Sequence, residues 1–236
     1  IKIVLLLISP QPSLPLNELF RDVVISSSAL SSSLGANSII LGDATLPSSI
    51  TLPTDSTVFD DDYENFINSK LVHSVPYGVI SDQVGRSLAS AGDVNKDGVI
   101  DILLGDFHSS KVYAFFGNRS PLSRWKDMNQ GYTASSSTRG DTFGWAVAGI
   151  SDINDDGIDD WMSCAIIANR CYIIYGQEIG NKDISVQQLT KTIGFTITTS
   201  GGKLTALGMA IAGGDDMNGD GLSDVVMSAI STTGDS

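Results

Sequence analysis

Three nine-residue stretches hold the residues best placed to do chemistry: DVNKDGVID (93–101), DINDDGIDD (152–160) and DMNGDGLSD (216–224). Each has Asp at its first, fifth and ninth positions, Asn at the third and Gly at the sixth. Carboxylates packed this closely repel one another unless positive charge sits among them. A hard cation is the natural candidate, because calcium takes about six to eight oxygen ligands from carboxylates, amides, backbone carbonyls and water. The ligand set would be Asp93, Asn95, Asp97 and Asp101 with the carbonyl of Val99 in the first loop. In the second it would be Asp152, Asn154, Asp156 and Asp160 with Ile158, and in the third Asp216, Asn218, Asp220 and Asp224 with Leu222. Three carboxylates per loop give an empty site of charge −3 and a calcium-filled one of −1. Zinc would want Cys or His, and magnesium, the weaker alternative, a tighter octahedron.

The Asp-x-Asn-x-Asp-Gly opening is shared with EF-hands, but those need flanking helices and a bidentate Glu at the twelfth position. Here that position is Leu104, Ser163 or Met227, and the flanks read as strands. Dockerin modules fail on spacing, since Asp93, Asp152 and Asp216 lie 59 and then 64 residues apart. One such loop could equally be a plain Asp/Asn/Gly turn bonded to its own backbone. Three copies in one context point to metal.

That context is a repeat. Segments 84–106, 143–165 and 207–229 superpose without a gap: an apolar residue and Gly, a strand of small residues, the acidic loop, then an apolar strand. The small column holds Ser87, Ala89, Ala146, Ala148, Ala210 and Ala212, as expected where backbones crowd together. The strand after the loop (DILLG, DWMSC, DVVMS) is apolar on consecutive positions, so both of its faces should be covered. Strand repeats of this length, with faces that none can bury alone, point to an all-β fold of blades stacked around an axis, a β-propeller. Residues 22–43 read as a decayed copy without the acidic pattern, so no metal is expected at Asp22, and 60–70 (DDDYENFINSK) as an exposed acidic insertion that could form a short helix. The expected organisation is a partial propeller over 1–236: a degenerate repeat at 1–43, then metal-loop repeats at 44–106, 107–165 and 166–236, the last truncated.

A formal net charge of −13 over 236 residues argues against a nucleic-acid partner, which needs a basic surface. Twelve of the 27 acidic residues fall in 93–101, 152–160 and 215–224, which concentrates the charge in sites. Cys164 and Cys171 flank a turn and read equally as a cross-strand disulfide of an exported protein or as two small buried hydrophobes. The opening IKIVLLLIS reads as a buried strand or as the tail of a signal-peptide core, and no other run is long enough to span a membrane. Asn118 stands in a weak glycosylation sequon. His73 and His108 belong to no nucleophile or zinc motif. Trp125, Trp145 and Trp161 could mark a contact patch, although the last two lie on predicted strands and are expected in the core.

The chain resembles the FG-GAP repeats of integrin α-subunit propellers. The likeness is carried by Phe143-Gly144, Leu207-Gly208 and Val84-Gly85, by the columns at 104–106, 163–165 and 227–229, and by the three acidic loops, although no copy has a literal Gly-Ala-Pro. The resemblance implies four-stranded blades, calcium in hairpin loops on one face, and a non-catalytic extracellular or cell-surface module that binds a protein or glycan through its loops. It also leaves open an accessory propeller of a secreted hydrolase, as in enzymes similar to glycosylphosphatidylinositol-specific phospholipase D.

Overall fold

The computed structural model describes residues 86–117, 131–178, 183–200 and 204–231, together with four short strands nearer the N-terminus as backbone alone. The acidic insertion at 60–70, Asp22, Val84, Gly85, Asn118 and Trp125 lie outside the described residues.

The chain forms two compact units, Ile1–Gly85 with Ser120–Asp127, and Arg86–Arg119 with Met128–Ser236. In the first, β1 (Leu6–Leu7), β2 (Val23–Ser27), β3 (Ala36–Ile40) and β4 (Val72–Ser74) make one antiparallel sheet in chain order. The opening apolar run thus contributes a strand, with Leu6 opposite Val24. The hairpin β2–β3 falls within the decayed copy at 22–43.

The second unit repeats one antiparallel meander. β5 (Ser87–Gly92), β6 (Asp101–Asp106), β7 (Lys111–Phe115) and β8 (Gly131–Ser135) form one sheet. β9 (Phe143–Ser151), β10 (Asp160–Ala165) and β11 (Arg170–Ile174) begin the next, which β13 (Gly194–Thr198) closes. Between β11 and β13, the short β12 (Ile184–Ser185) leaves its own sheet and pairs parallel to β8, covering that edge. After β14 (Leu204–Thr205), β15 (Ile211–Asp215) and β16 (Asp224–Met227) start a third sheet, and β17 (Ile230–Ser231) pairs with β14. The first strands β5, β9 and β15 pack against one another in series, as in a β-propeller. The molecule is an all-β, partial propeller. The predicted repeat boundaries at 106/107 and 165/166 fall between the second and third strands of a sheet, because the sequence period and the sheet are offset.

The expected two-sided cover is present for β6 and β10 but not for β16, whose Val226 is exposed because its sheet has only two strands among the described residues. All six residues of β6 and all six of β10 are buried. Along β10, Trp161 and Ala165 join a core with Ala89, Leu103, Val112 and Tyr132 of the preceding sheet, while Met162 and Cys164 join Leu207, Ile211 and Val225 of the following one. The indole N–H of Trp161 donates to the Tyr132 hydroxyl at 2.6 Å, so the buried aromatic pair leaves no polar atom idle. Trp145 departs from the core expectation. It is only half-buried, and the Arg86 guanidinium lies 5.2 Å from its ring.

Cys164 and Cys171 face each other in the β10–β11 register and are joined as a disulfide. The crosslink resolves the two sequence readings and fits an oxidising compartment. On the chain-entropy view, a loop this short contributes about 2–3 kcal/mol.

The apolar-Gly column now has a physical meaning. Phe143 and Leu207 are buried between sheets, and the glycine after each turns with positive φ onto the sheet before it. A Cβ on Gly208 would lie 2.1 Å from Cys164 Sγ, and one on Gly144 would lie 2.4 Å from the Lys111 carbonyl. Gly140 also has positive φ but meets nothing within 4 Å. Gly144→Ala is therefore expected to lower stability by about 1–3 kcal/mol through overpacking, beyond the backbone cost that Gly140→Ala also bears. Thermal unfolding of the two variants checks this, and equal melting temperatures would refute the packing argument.

Candidate metal centre

Each acidic loop joins the first and second strands of its sheet: β5 to β6, β9 to β10, and β15 to β16. The three share one backbone course. Positions 4 (Lys96, Asp155, Gly219) and 6 (Gly98, Gly157, Gly221) all adopt positive φ, between 60° and 91°. At position 6 this is the sharp turn for which the glycine was singled out.

The first-position carboxylate caps that turn. Asp93 accepts from the amides of Asp97 (2.9 Å) and Gly98 (2.7 Å), Asp152 from Asp156 (3.1 Å) and Gly157 (2.6 Å), and Asp216 from Asp220 (3.2 Å) and Gly221 (2.8 Å). The Asn at position 3 accepts from the position-5 amide through Oδ1 and donates through Nδ2 to the position-5 carboxylate, in Asn95, Asn154 and Asn218 alike. Asp97, Asp156 and Asp220 in turn accept from the amides of Val99, Ile158 and Leu222. Positions 1, 3 and 5 are thus brought together on the loop's own N–H groups, whose partial positive charge offsets part of the carboxylate repulsion.

The ninth position is placed differently. Asp101 and Asp160 open their strands with no exposed surface. One oxygen of Asp101 accepts from Val94 N (2.9 Å) and the other from Gly117 N (2.8 Å); Asp160 does the same with Ile153 N (3.0 Å) and Gly176 N (2.8 Å). Asp224 bonds the amides of Met217 and Asn218 and is half-buried. Among the described residues no group of three or more Asp, Glu, His or Cys side chains lies close enough to hold a metal. The ninth-position acids stand in the sheet, and the others stand in the loop.

Such hydrogen bonds are what a plain Asx turn makes. The buried ninth acid is what a plain turn does not explain. Neither Asp101 nor Asp160 has a cationic partner among the described residues, and burial, reinforced by the acids at positions 5 and 1, pushes each carboxyl up to about 7 against two lowering amide bonds. A carboxylate taken from water without a counter-charge is costly. The donor set is all oxygen, and each carboxylate oxygen retains a lone pair beyond its amide bond. The donor types therefore suit a hard cation, while the four side chains of each loop do not converge on one point in this structure. Exposed Asp216 is the contrary case, held below the usual carboxylate range by the amides of Gly221, Gly219, Asp220 and Asn218.

Sequence reading missed Asp159. Its carboxylate leaves its own loop and accepts from Asp93 N at 2.7 Å. The eighth position varies as Ile100, Asp159 and Ser223, so the repeat gave no signal for it.

A pH dependence follows from the buried acids. Each has a folded pKa of about 7 against 3.8 for the free group, so the folded state binds more protons between these values. With EDTA present, the melting temperature should fall as pH rises from about 4 to about 7, and Asp101→Asn with Asp160→Asn should flatten that limb. The depressed Asp216 acts only below this window, where its contribution is lost as pH falls. Thermal scans across the range provide the check, and a limb unchanged in the double variant would exclude these two acids as its source.

No family model matches the chain. It is similar to the integrin alpha-2 of Bos taurus, 31% identical over 164 residues, which cover 63% of this chain and 13% of that protein. It is also similar to the integrin alpha-11 of Homo sapiens, 36% identical over 81 residues, which cover 32% of this chain and 7% of that protein. The chain therefore spans only a small part of the length of these relatives. Together with the repeated acidic hairpins and stacked antiparallel sheets, these similarities point to an integrin α-type FG-GAP region.

Proposed function

We propose that the region is a non-catalytic, extracellular calcium-binding propeller module that mediates adhesion by binding a protein or glycan ligand through its loops. The observation that carries the calcium part is the sheltered ninth-position aspartate, which has amide partners and no cation beside a loop rich in carboxylates. Asp93, Asn95, Asp97, Asp101 and the Val99 carbonyl would hold one ion. Asp152, Asn154, Asp156, Asp160 and Ile158 would hold a second, and Asp216, Asn218, Asp220, Asp224 and Leu222 a third. When bound, calcium supplies the positive charge that these carboxylates otherwise lack. The residues themselves then fix the strand 1–2 hairpin, because the ninth acid is tied both to its own loop and to the end of the third strand, at Gly117 or Gly176.

The meander sends the turns at 107–110 and 136–142 to the end of the strands away from the acidic loops. There the exposed Arg86 lies 5.1 Å from the Phe107 ring and 5.2 Å from the Trp145 ring, with His108 edge-on to Phe107. Arg and aromatic side chains of this kind dominate protein interfaces, and we assign the ligand surface to that end. The disulfide and the similarity to integrin α chains support an extracellular setting.

The test is thermal unfolding at neutral pH in EDTA and in millimolar calcium. Saturation at about 100 times Kd adds roughly 2.7 kcal/mol per site, or about 5–10 °C for a chain of this size. Asp97→Asn, Asp156→Asn and Asp220→Asn should each remove part of the rise. Identical melting in calcium and in EDTA would overturn the proposal.

A further inference from the structure

We infer that Asp159 is a positioning residue that couples the first acidic loop to the second, so that these two take up calcium in step while the third acts alone. The inference rests on the calcium reading above and deepens it. Asp159 is not one of the assigned ligands, but it lies between two that are, the Ile158 carbonyl and Asp160. Its side chain crosses to the neighbouring sheet, where Oδ2 accepts from Asp93 N at 2.7 Å. Its own amide donates to the Asp93 carbonyl at 3.4 Å, which makes the contact reciprocal. The carboxylate occupies the space above Gly92, where a Cβ would lie 2.3 Å from Asp159 Oδ2.

A second strut runs beside the first. Asp160 Oδ1 accepts from Gly176 N, the next residue, Gln177, donates its amide to the Val94 carbonyl at 2.9 Å, and Val94 N donates to Asp101. The ninth-position acids of the two loops are thereby connected through hydrogen bonds and short backbone steps. Whatever fixes Ile158 and Asp160 also fixes the group that holds Asp93, the first residue of the other loop. Ordering one loop lowers the entropic cost of ordering the other, and by linkage the effect is reciprocal.

The third loop lacks this device. Its eighth residue is Ser223, too short to reproduce the crossing, and among the described residues Asp152 N makes no bond to it. Between loops two and three the crossing among the described residues is a single longer bond, from the Ser151 hydroxyl to the Gly214 carbonyl at 3.4 Å, which involves no residue of either acidic loop, so the carboxylate coupling joins loops one and two.

The amides of Gly98, Gly157 and Gly221 each donate to the first-position Asp of their own loop, so each reports one site. Nitrogen-15 NMR of the 236-residue chain during a calcium titration reads them separately. In the unmodified chain, Gly98 and Gly157 should shift over one calcium range. In Asp159→Ser, which installs the residue found at the equivalent place in loop three, both transitions should become shallower and move to higher calcium, by up to roughly tenfold, the worth of one charge-assisted hydrogen bond, with Gly221 unmoved. Asp159→Asn keeps an acceptor oxygen and should restore the joint titration. Gly98 and Gly157 transitions that keep both their steepness and their midpoint in Asp159→Ser would overturn the coupling and leave calcium binding standing. If no glycine amide moves in the unmodified chain at millimolar calcium, the calcium reading falls, and this one with it.

Discussion

A carboxylate out of water must be answered by donors or by a cation, and this constraint shapes each repeat. At Asp101 and Asp160 the answer is two backbone amides from different parts of the chain, one within the adjacent loop and one beyond the third strand. The side chain therefore fastens three segments at one point: the hairpin, the start of the second strand and the end of the third. Because burial pushes the carboxyl up while the amides pull it down, the fastening is strained in the absence of further positive charge. The acidic loop and the sheet are one device.

The rest of the repeat keeps neighbouring sheets close enough for that device to be sheltered. Small residues on the first strands let backbones approach, and apolar residues on both faces of the second strand fill the space to either side. Gly208 rests against the Cys164–Cys171 disulfide, while Gly144 rests against backbone. The same sequence column thus meets two different floors. Its requirement for glycine survives because both the turn and the clearance demand it.

Much of this was legible in the sequence. The three loops and the gapless repeat exposed the unit, and the consecutive apolar residues of DILLG and DWMSC announced strands buried on both faces, as the structure shows for β6 and β10. What escaped depends on residues far apart in the chain. Asp159 meets Asp93 across 66 positions, β12 leaves its own sheet for the one before, and Trp145 lies beside Arg86 rather than in the core. No local pattern encodes such meetings. The cysteines were ambiguous for a related reason: two small apolar side chains facing each other across a hairpin look alike in sequence whether or not they are bonded.

The parallel strand β12 gives this architecture a modular grammar of its own. The outermost ladder of one sheet is completed by Ile184 and Ser185, which are encoded within the next repeat. Neighbouring units overlap like roof tiles instead of abutting like bricks. Gain or loss of a repeat by recombination must preserve that overlap, or the bared backbone of β8 becomes a template for pairing with another molecule.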